Sequence, residues 1–297
     1  MQIVIASGKG GTGKTSVAVN LAIALTESHP NALTFLDCDV EAPNAALFLR
    51  PSFQKTFSVE HLIPQVDEAL CDHCGACAKF CQFNALTVTA NQVLFFPELC
   101  HACGGCTLVC PQKAIHEISA SIGIIRSGDS NGIRFSHGEL QIGLPSPVGI
   151  IERMLKDQEK YLKAQEQHDS ITIIDAPPGV SCPVVATLDG ADFVILVTEP
   201  TPFGLHDLKQ AVQLVRDEMH LPMGVVINKD GAGDDQVDLY CHENDIAIIG
   251  RIPYSRNIAE VYARGELLVN TKPEYKVIFL DIWNTIQQMQ NDTGAQA

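Results

Sequence analysis

The sequence predicts an α/β fold, a mostly parallel sheet with helices on both faces, interrupted once by a small inserted α+β domain. Three observations predict it. Short, continuously apolar or β-branched runs alternate with longer segments of helical periodicity, the pattern of strands buried on both faces. A glycine-rich turn, Gly8-x4-Gly13-Lys14-Thr15, joins the first such run to the first helical segment. Eight of the 11 cysteines fall in two runs of identical spacing that break the alternation between the second strand and the return of strand-like sequence near Gly138.

Taken in order, Gln2 to Ala6 reads as a strand, and Lys14 to about Glu27 as a helix with Val17, Leu21, Ala24 and Leu25 on one face. Strands follow at Leu33 to Asp37, Ile171 to Asp175, Phe193 to Val197 and Gly224 to Asn228, with a short one at Ile246 to Ile249. Helices are expected near 148–166, 204–219, 233–244 and 273–290, and Gly123 to Gly143 reads as a hairpin or edge-strand pair. The division that results is 1–65 with 119–297 as one domain and 66–118 as the insertion.

At 297 residues the chain can bury a sizeable core, and no apolar run reaches the roughly 18 residues that cross a bilayer. A net charge of -15 opposes binding to phosphate backbones, so neither nucleic acid nor membrane is an expected partner. The first strand starts at residue 2, which leaves no room for a signal peptide, and free, closely spaced cysteines fit a reducing cytoplasm.

The cysteine runs are Cys71-x2-Cys74-x2-Cys77-x3-Cys81 and Cys100-x2-Cys103-x2-Cys106-x3-Cys110. This spacing is a ligand set for two [4Fe-4S] clusters, in which each run gives three thiolates to one cluster and its fourth to the neighbour. Cys71, Cys74, Cys77 and Cys110 then hold one cluster, and Cys100, Cys103, Cys106 and Cys81 the other. Pro111 follows the second run, but Gln82 stands where proline usually follows the first, a change expected to alter that turn. His73 and His101 lie inside the runs, where they are either solvated loop side chains or donors to cluster sulfur.

The glycine-rich loop has the context of a phosphate-binding loop, with a strand before it and a helix after. Backbone N–H groups of Gly8, Gly10, Gly11, Thr12 and Gly13 would face the phosphates, Lys14 would reach the β/γ-phosphates, and Thr15, followed by Ser16, would take Mg2+. Lys9, directly before Gly10-Gly11, is an additional lysine. Asp37 and Asp39 lie where a strand ends, the ligand edge of an open parallel sheet, and Asp175 and Asn228 end two further strands.

The Lys-Gly-Gly-x-Gly-Lys-Thr form resembles the deviant Walker A of the MinD, ParA, Mrp and nitrogenase iron protein superfamily, here with a bacterial-ferredoxin-like insertion. The resemblance implies an ATPase in which Lys9 reaches the partner's phosphates across a nucleotide-sandwich dimer. It implies that Asp39, in the Asp37-Cys38-Asp39 segment, orients the attacking water while Asp37 supports the Mg2+ shell. Asp175 and Gly179, in Asp175-Ala176-Pro177-Pro178-Gly179, would form the second switch. Asn228 and Lys229, with Pro253 and Tyr254 opposite, would bind adenine. Of the remaining cysteines, Cys38 is expected to pack as a small apolar residue. Cys182, at the start of the helix after the second switch, either packs there or transiently handles a cluster or metal.

The functions implied are ATP-driven closure of a homodimer or of a heterodimer with a paralogue, coupled to electron transfer to a redox client, or carriage of an iron-sulfur cluster or metallocofactor. A ParA-like positioning switch fits less well, because the tail after Trp283 is polar and no basic surface is evident. The single Cys241 gives no Cys-x2-Cys of the kind that bridges a cluster across Mrp dimers.

Overall fold

The computed structural model describes residues 1–165 and 170–294. Nine strands form one sheet. They are β1 (Gln2–Ala6), β2 (Leu33–Asp37), β3 (Ser52–Val66), β6 (Ile115–Ser130), β7 (Ile133–Leu140), β8 (Ile171–Asp175), β9 (Phe193–Thr198), β10 (Met223–Asp230) and β11 (Ile248–Pro253). Their order is β11-β10-β9-β1-β8-β2-β7-β6-β3, and every pairing from β11 to β7 is parallel. The strands β4 (Leu86–Val88) and β5 (Val93–Phe95) pair separately.

Helices cover both faces because the central strands are apolar throughout and cannot leave either face to water. On one face α1 (Lys14–Leu25) and α10 (Pro273–Gly294) pack with α2 (Ala45–Leu49) and α9 (Arg256–Ala263) over Ile3, Ile5, Phe35 and Ile173. On the other, α5 (Val148–Gln165), α6 (Cys182–Leu188), α7 (Pro202–Val212) and α8 (Gln236–Glu243) cover Val4, Leu36, Ile174 and Leu196. The helix α1 is buried nearly all round, which its alternation of small and branched residues, Val17-Ala18-Val19 and Leu21-Ala22, permits. The helical stretch expected at 204–219 is α7 followed by a wider turn over Gln213–Glu218. The helix expected to reach residue 166 is seen to Gln165, and residue 166 lies outside the described residues. The last strand begins at Ile248 rather than Ile246, because Ile246 N–H is spent on Cys241 O at the end of α8.

The expected hairpin near 123–143 is β6 and β7, turned by Asn131 and Gly132 at φ 52° and 80°. Two successive positive φ values define the type I′ turn that suits the twist of a hairpin. β7 is an interior strand, since it also pairs with β2 from Leu33↔Ile133 to Asp37↔His137. The close packing at this junction is set by Gly138. A Cβ there would lie 2.5 Å from Ile150 Cγ2 and 2.6 Å from Val40 Cγ1, both buried. Gly138→Ala is expected to cost about 1–3 kcal/mol by overpacking, read as a fall in the urea midpoint with unchanged slope.

β3 pairs antiparallel with β6 along its whole length, from Ser52↔Asp129 to Val66↔Ile115. β7 accompanies β6 only from Gly123 onward, so the outer half of the pair runs on as a two-stranded ribbon. The cysteine segment hangs between its ends, around α3 (Ala76–Phe80) and α4 (Gly105–Val109), with its own small core of Cys77, Leu86 and Ile115. Among the described residues no helix is long and apolar enough to cross a membrane.

Candidate nucleotide and cysteine sites

Because β1, β2, β8 and β10 run parallel, their C-terminal ends share one edge of the sheet, and the registers Ile5↔Asp175 and Asp37↔Asp175 bring the two aspartates level beside the loop. The loop passes through left-handed backbone at Gly11 and Gly13, φ 82° and 94°, a region that costs other residues strain. A side chain at Gly13 would also strike Asn228 Nδ2 at 2.2 Å. The helix α1 has no capping side chain and no acid in its first turn, so the positive end of its dipole stays turned to the loop.

Lys14 and Thr15 are buried at the floor of this edge, and Thr15 Oγ1 donates to Asp175 Oδ2 at 2.5 Å. Asp175 Oδ1 is buried with no hydrogen-bond partner. Asp37 accepts from the backbone N–H groups of Asn44 and Ala45, both at 3.0 Å, and so fixes the start of α2. Burial raises the pKa of Asp37 well above the carboxylate range, and the neighbouring Asp175 raises it further. Burial also raises Asp39, with Lys14 opposing. Asp175 is pushed up to about 6 by burial, again against the pull of Lys14.

Three neighbouring carboxylates, of which Asp39 and Asp175 share Lys14, together with a threonine hydroxyl and an orphaned carboxylate oxygen, form a hard oxygen donor set that fits Mg2+. A sign follows for pH. Between its unfolded value of 3.8 and about 6, native Asp175 holds a proton that the unfolded chain has lost, so without metal its contribution falls as pH rises through that window. Mg2+ must displace that proton. The thermal stabilisation by Mg-ADP over ADP alone should therefore be larger at pH 7.5 than at pH 5, and equal shifts at both would contradict the site.

From the loop a cleft of about 420 Å3 runs between β10 and α9, lined by Gly10, Lys14, Thr15, Ser16, Asp39 and, on the far side, Asn228, Lys229, Pro253 and Tyr254. The structure thus gathers most of the residues expected for phosphate and base along one groove, which Gly8 and Thr12 do not line. Asn228 Nδ2 donates to Thr12 O at 2.8 Å, so its amide ties β10 to the loop. Lys229 is paired with Glu199 at 2.5 Å. Sequence reasoning missed Asn44, Ile258, Ala259 and Tyr262, which complete the groove. The apolar spacing of Ile258, Val261 and Tyr262 on a short helix was the available signal.

Lys9 does not line this groove. Its Nζ lies 3.7 Å from Asp207 Oδ2 and 5.9 Å from the centre of the Phe203 ring, on the outer surface of α7. Gly179, at φ 95°, donates its N–H to Ser7 O at 3.0 Å, which docks the segment after β8 against the loop.

In the insertion, one cavity is lined by Cys71, Cys74, Cys77 and Cys110, the other by Cys81, Cys100, Cys103 and Cys106. Each therefore collects three thiols from one run and the fourth from the other. The two halves repeat one another in backbone. Gly75 and Gly104 take φ 76° and 69°, His73 and Ala102 take 57° and 53°, and Asn84 and Lys113 take 55° and 52°. These turns aim backbone N–H groups at sulfur in matched pairs. His73 and Ala102 donate to Cys71 and Cys100 Sγ at 3.4 Å, and Ala85 and Ala114 to Cys81 and Cys110 Sγ at 3.4 and 3.3 Å. Four convergent thiols with N–H donors to sulfur suit an iron-sulfur cluster.

The turn after Cys81 is not altered by Gln82. Cys81 and Cys110 have ψ 107° and 111°, because an extended residue there is as open to glutamine as to proline. The two histidine side chains contact neighbours within the insertion. His73 Nε2 pairs with Glu68 Oε2 at 2.9 Å and His101 stacks on Phe83, so the donor to sulfur is the backbone of residue 73. Cys38 is fully buried in the core and burial holds its thiol well up, whereas Cys182 is exposed at the start of α6.

A family model described as the CobQ/CobB/MinD/ParA nucleotide binding domain matches residues 3–269. An uncharacterized protein of Methanocaldococcus jannaschii is 28% identical over 296 residues, 98% of this chain and 97% of that one. An iron-sulfur cluster carrier protein of Synechocystis is 51% identical over 47 residues, 16% of this chain and 13% of that one. Among solved structures, the septum site-determining protein MinD of Pyrococcus horikoshii, complexed with Mg-ADP, superposes with a TM-score of 0.59 at 20% identity, covering 100% of this chain and 98% of that one.

Proposed function

The chain belongs to the CobQ/CobB/MinD/ParA nucleotide-binding family, and on that premise we propose that it is an ATPase whose nucleotide-dependent dimer switch is coupled to electron transfer through two [4Fe-4S] clusters. The observation that carries the reading is the closure of each cysteine cavity by four thiols of the same chain. A fully ligated cluster is held for passing electrons, whereas a cargo cluster would sit more naturally at an open or shared site. When bound, the clusters supply one-electron redox chemistry, and Mg2+ neutralises charge between the β- and γ-phosphates.

The chain's own residues divide the rest of the work. Lys14 and the N-terminus of α1 hold the phosphates, and Asn228 keeps the loop closed beside the groove. Asp39 orients the attacking water, and Thr15 with Asp175 places the metal shell. A second nucleotide-bound copy, or a paralogue, brings Lys9 to the phosphates in trans. Residues 1–65 with 119–297 form the nucleotide domain in this reading, and 66–118 the redox domain.

Anaerobically prepared protein should hold about eight irons per chain. Cys77→Ser should lower that to about four or fewer, with loss of magnetic interaction between the clusters in the reduced spectrum. Zinc in place of iron would end the reading. The similarity to a cluster carrier over 47 residues favours a second reading, delivery of a cluster. Midpoint potentials with and without ATP, measured alongside iron transfer to an apo-acceptor, separate the two. A nucleotide-dependent potential without iron loss fits the electron-transfer reading, and ATP-dependent iron transfer at constant potential rejects it.

A further inference from the structure

A further cleft among the described residues is neither of the sites above. It lies between α5 and the outer strands β7, β6 and β3, encloses about 900 Å3 and falls in the size range of ligand pockets. In a chain of net charge -15 its walls carry four cations, Lys55, Arg134, Arg153 and Lys160, against two carboxylates, Asp129 and Asp157. Asp157 is already engaged by Arg153 Nε at 2.9 Å. Lys55 and Lys160 have no ion pair among the described residues.

Arg134 is the built element of this cleft. Its guanidinium lies 3.9 Å from the centre of the Tyr161 ring, and its Nη1 donates to Gln158 Oε1. Gln158 is 2% exposed and is fixed in turn by donating from Nε2 to Thr172 Oγ1 at 3.0 Å. Its direct partners are thus neutral: no carboxylate lies within ion-pair distance of it among the described residues. A half-buried arginine held in place by neutral groups keeps its remaining forked donors for a carboxylate or phosphate, the geometry that guanidinium recognises in two parallel hydrogen bonds. Burial lowers the pKa of Arg134 against the pull of Tyr161 and Asp157, an electrostatic cost that a bound anion would offset further.

We propose that this cleft binds a small anion carrying carboxylate or phosphate groups, with Arg134 as the forked contact and Lys55 and Lys160 as the flanking charges. The occupant would touch both α5 and the root of the ribbon that carries the cysteine segment. The proposal is independent of the redox reading.

The test is titration calorimetry on cluster-loaded, full-length Lys14→Ala protein without Mg2+, so that the phosphate loop does not compete, with citrate and inorganic pyrophosphate as separate probes. At least one probe should bind, more weakly as salt rises, and Arg134→Gln should weaken that binding at least about tenfold. The surface pair Lys55→Gln/Lys160→Gln, which leaves the buried network intact, should weaken it several-fold even if Arg134→Gln fails to fold. Binding by citrate alone or pyrophosphate alone tells whether carboxylate or phosphate is the native chemistry. No heat with either probe, or affinity unchanged in the double lysine variant, overturns the proposal.

Discussion

Lys14→Ala is expected to weaken ATP binding by more than about a hundredfold, the loss of one or more charge-assisted hydrogen bonds to phosphate. The structure adds a reason beyond the lost contact. Lys14 is 6% exposed and is the cation that opposes the burial-raised Asp39 and Asp175. Without it, an incoming triphosphate meets acidic groups with no counter-charge, so the variant loses affinity even where Mg2+ is supplied. Asp39→Ala should behave oppositely, binding ATP and Mg2+ while hydrolysing very slowly, because Asp39 lines the cleft without holding the loop. Equilibrium binding of a fluorescent ATP analogue, beside phosphate release, distinguishes them. Normal turnover by Asp39→Ala would remove it from the role of orienting water.

Lys9→Ala should leave fold and nucleotide affinity nearly unchanged and lower hydrolysis by roughly 10^3 to 10^5, the range for a cation supplied in trans to a phosphoryl transition state. The single chain has Lys9 on α7 at 3.7 Å from Asp207, outside the groove that holds the loop and the base residues. The pair is half-buried, with side chains 35% and 22% exposed, but its separation of 3.7 Å is longer than a charge-assisted hydrogen bond, so release toward a partner costs little. Size-exclusion chromatography with a non-hydrolysable ATP analogue should show a dimer for the parent and a monomer for the variant. Hydrolysis in Lys9→Ala at the parent rate would exclude action in trans.

The parallel sheet and both sites could be read from sequence because they depend on local chemistry. Ile3 to Ile5 and Phe193 to Val197 are apolar without break, and buried strands allow little else. The cysteine spacing carried its own partition, and the cavities group the thiols the same way. β3 was invisible for the opposite reason. Most of Ser52 to Val66 faces solvent, so no alternation marks it as a strand, and its partner residues lie 49 to 77 positions away. The Asn131-Gly132 turn was a strong local signal whose meaning depended on that partner. Lys9 is the case where structure adds what a motif cannot, since its position on α7 comes from packing between two segments about two hundred residues apart.

The facing of Ser52 and Asp129, where the β3–β6 pair begins, has an evolutionary consequence. An element whose entry and exit lie side by side can be gained, lost or exchanged in one genetic event without rerouting the chain around it. The strand order from β11 to β7 is complete without the ribbon. An ancestor could therefore have acquired the cysteine segment as a graft into a working nucleotide switch. A sequence that replaces residues 53–128 with a short turn should still fold around the phosphate loop, provided that the outer side of Phe135, which Phe53 now covers edge-on, is shielded by that turn; His137, on which Phe53 stacks, is already polar.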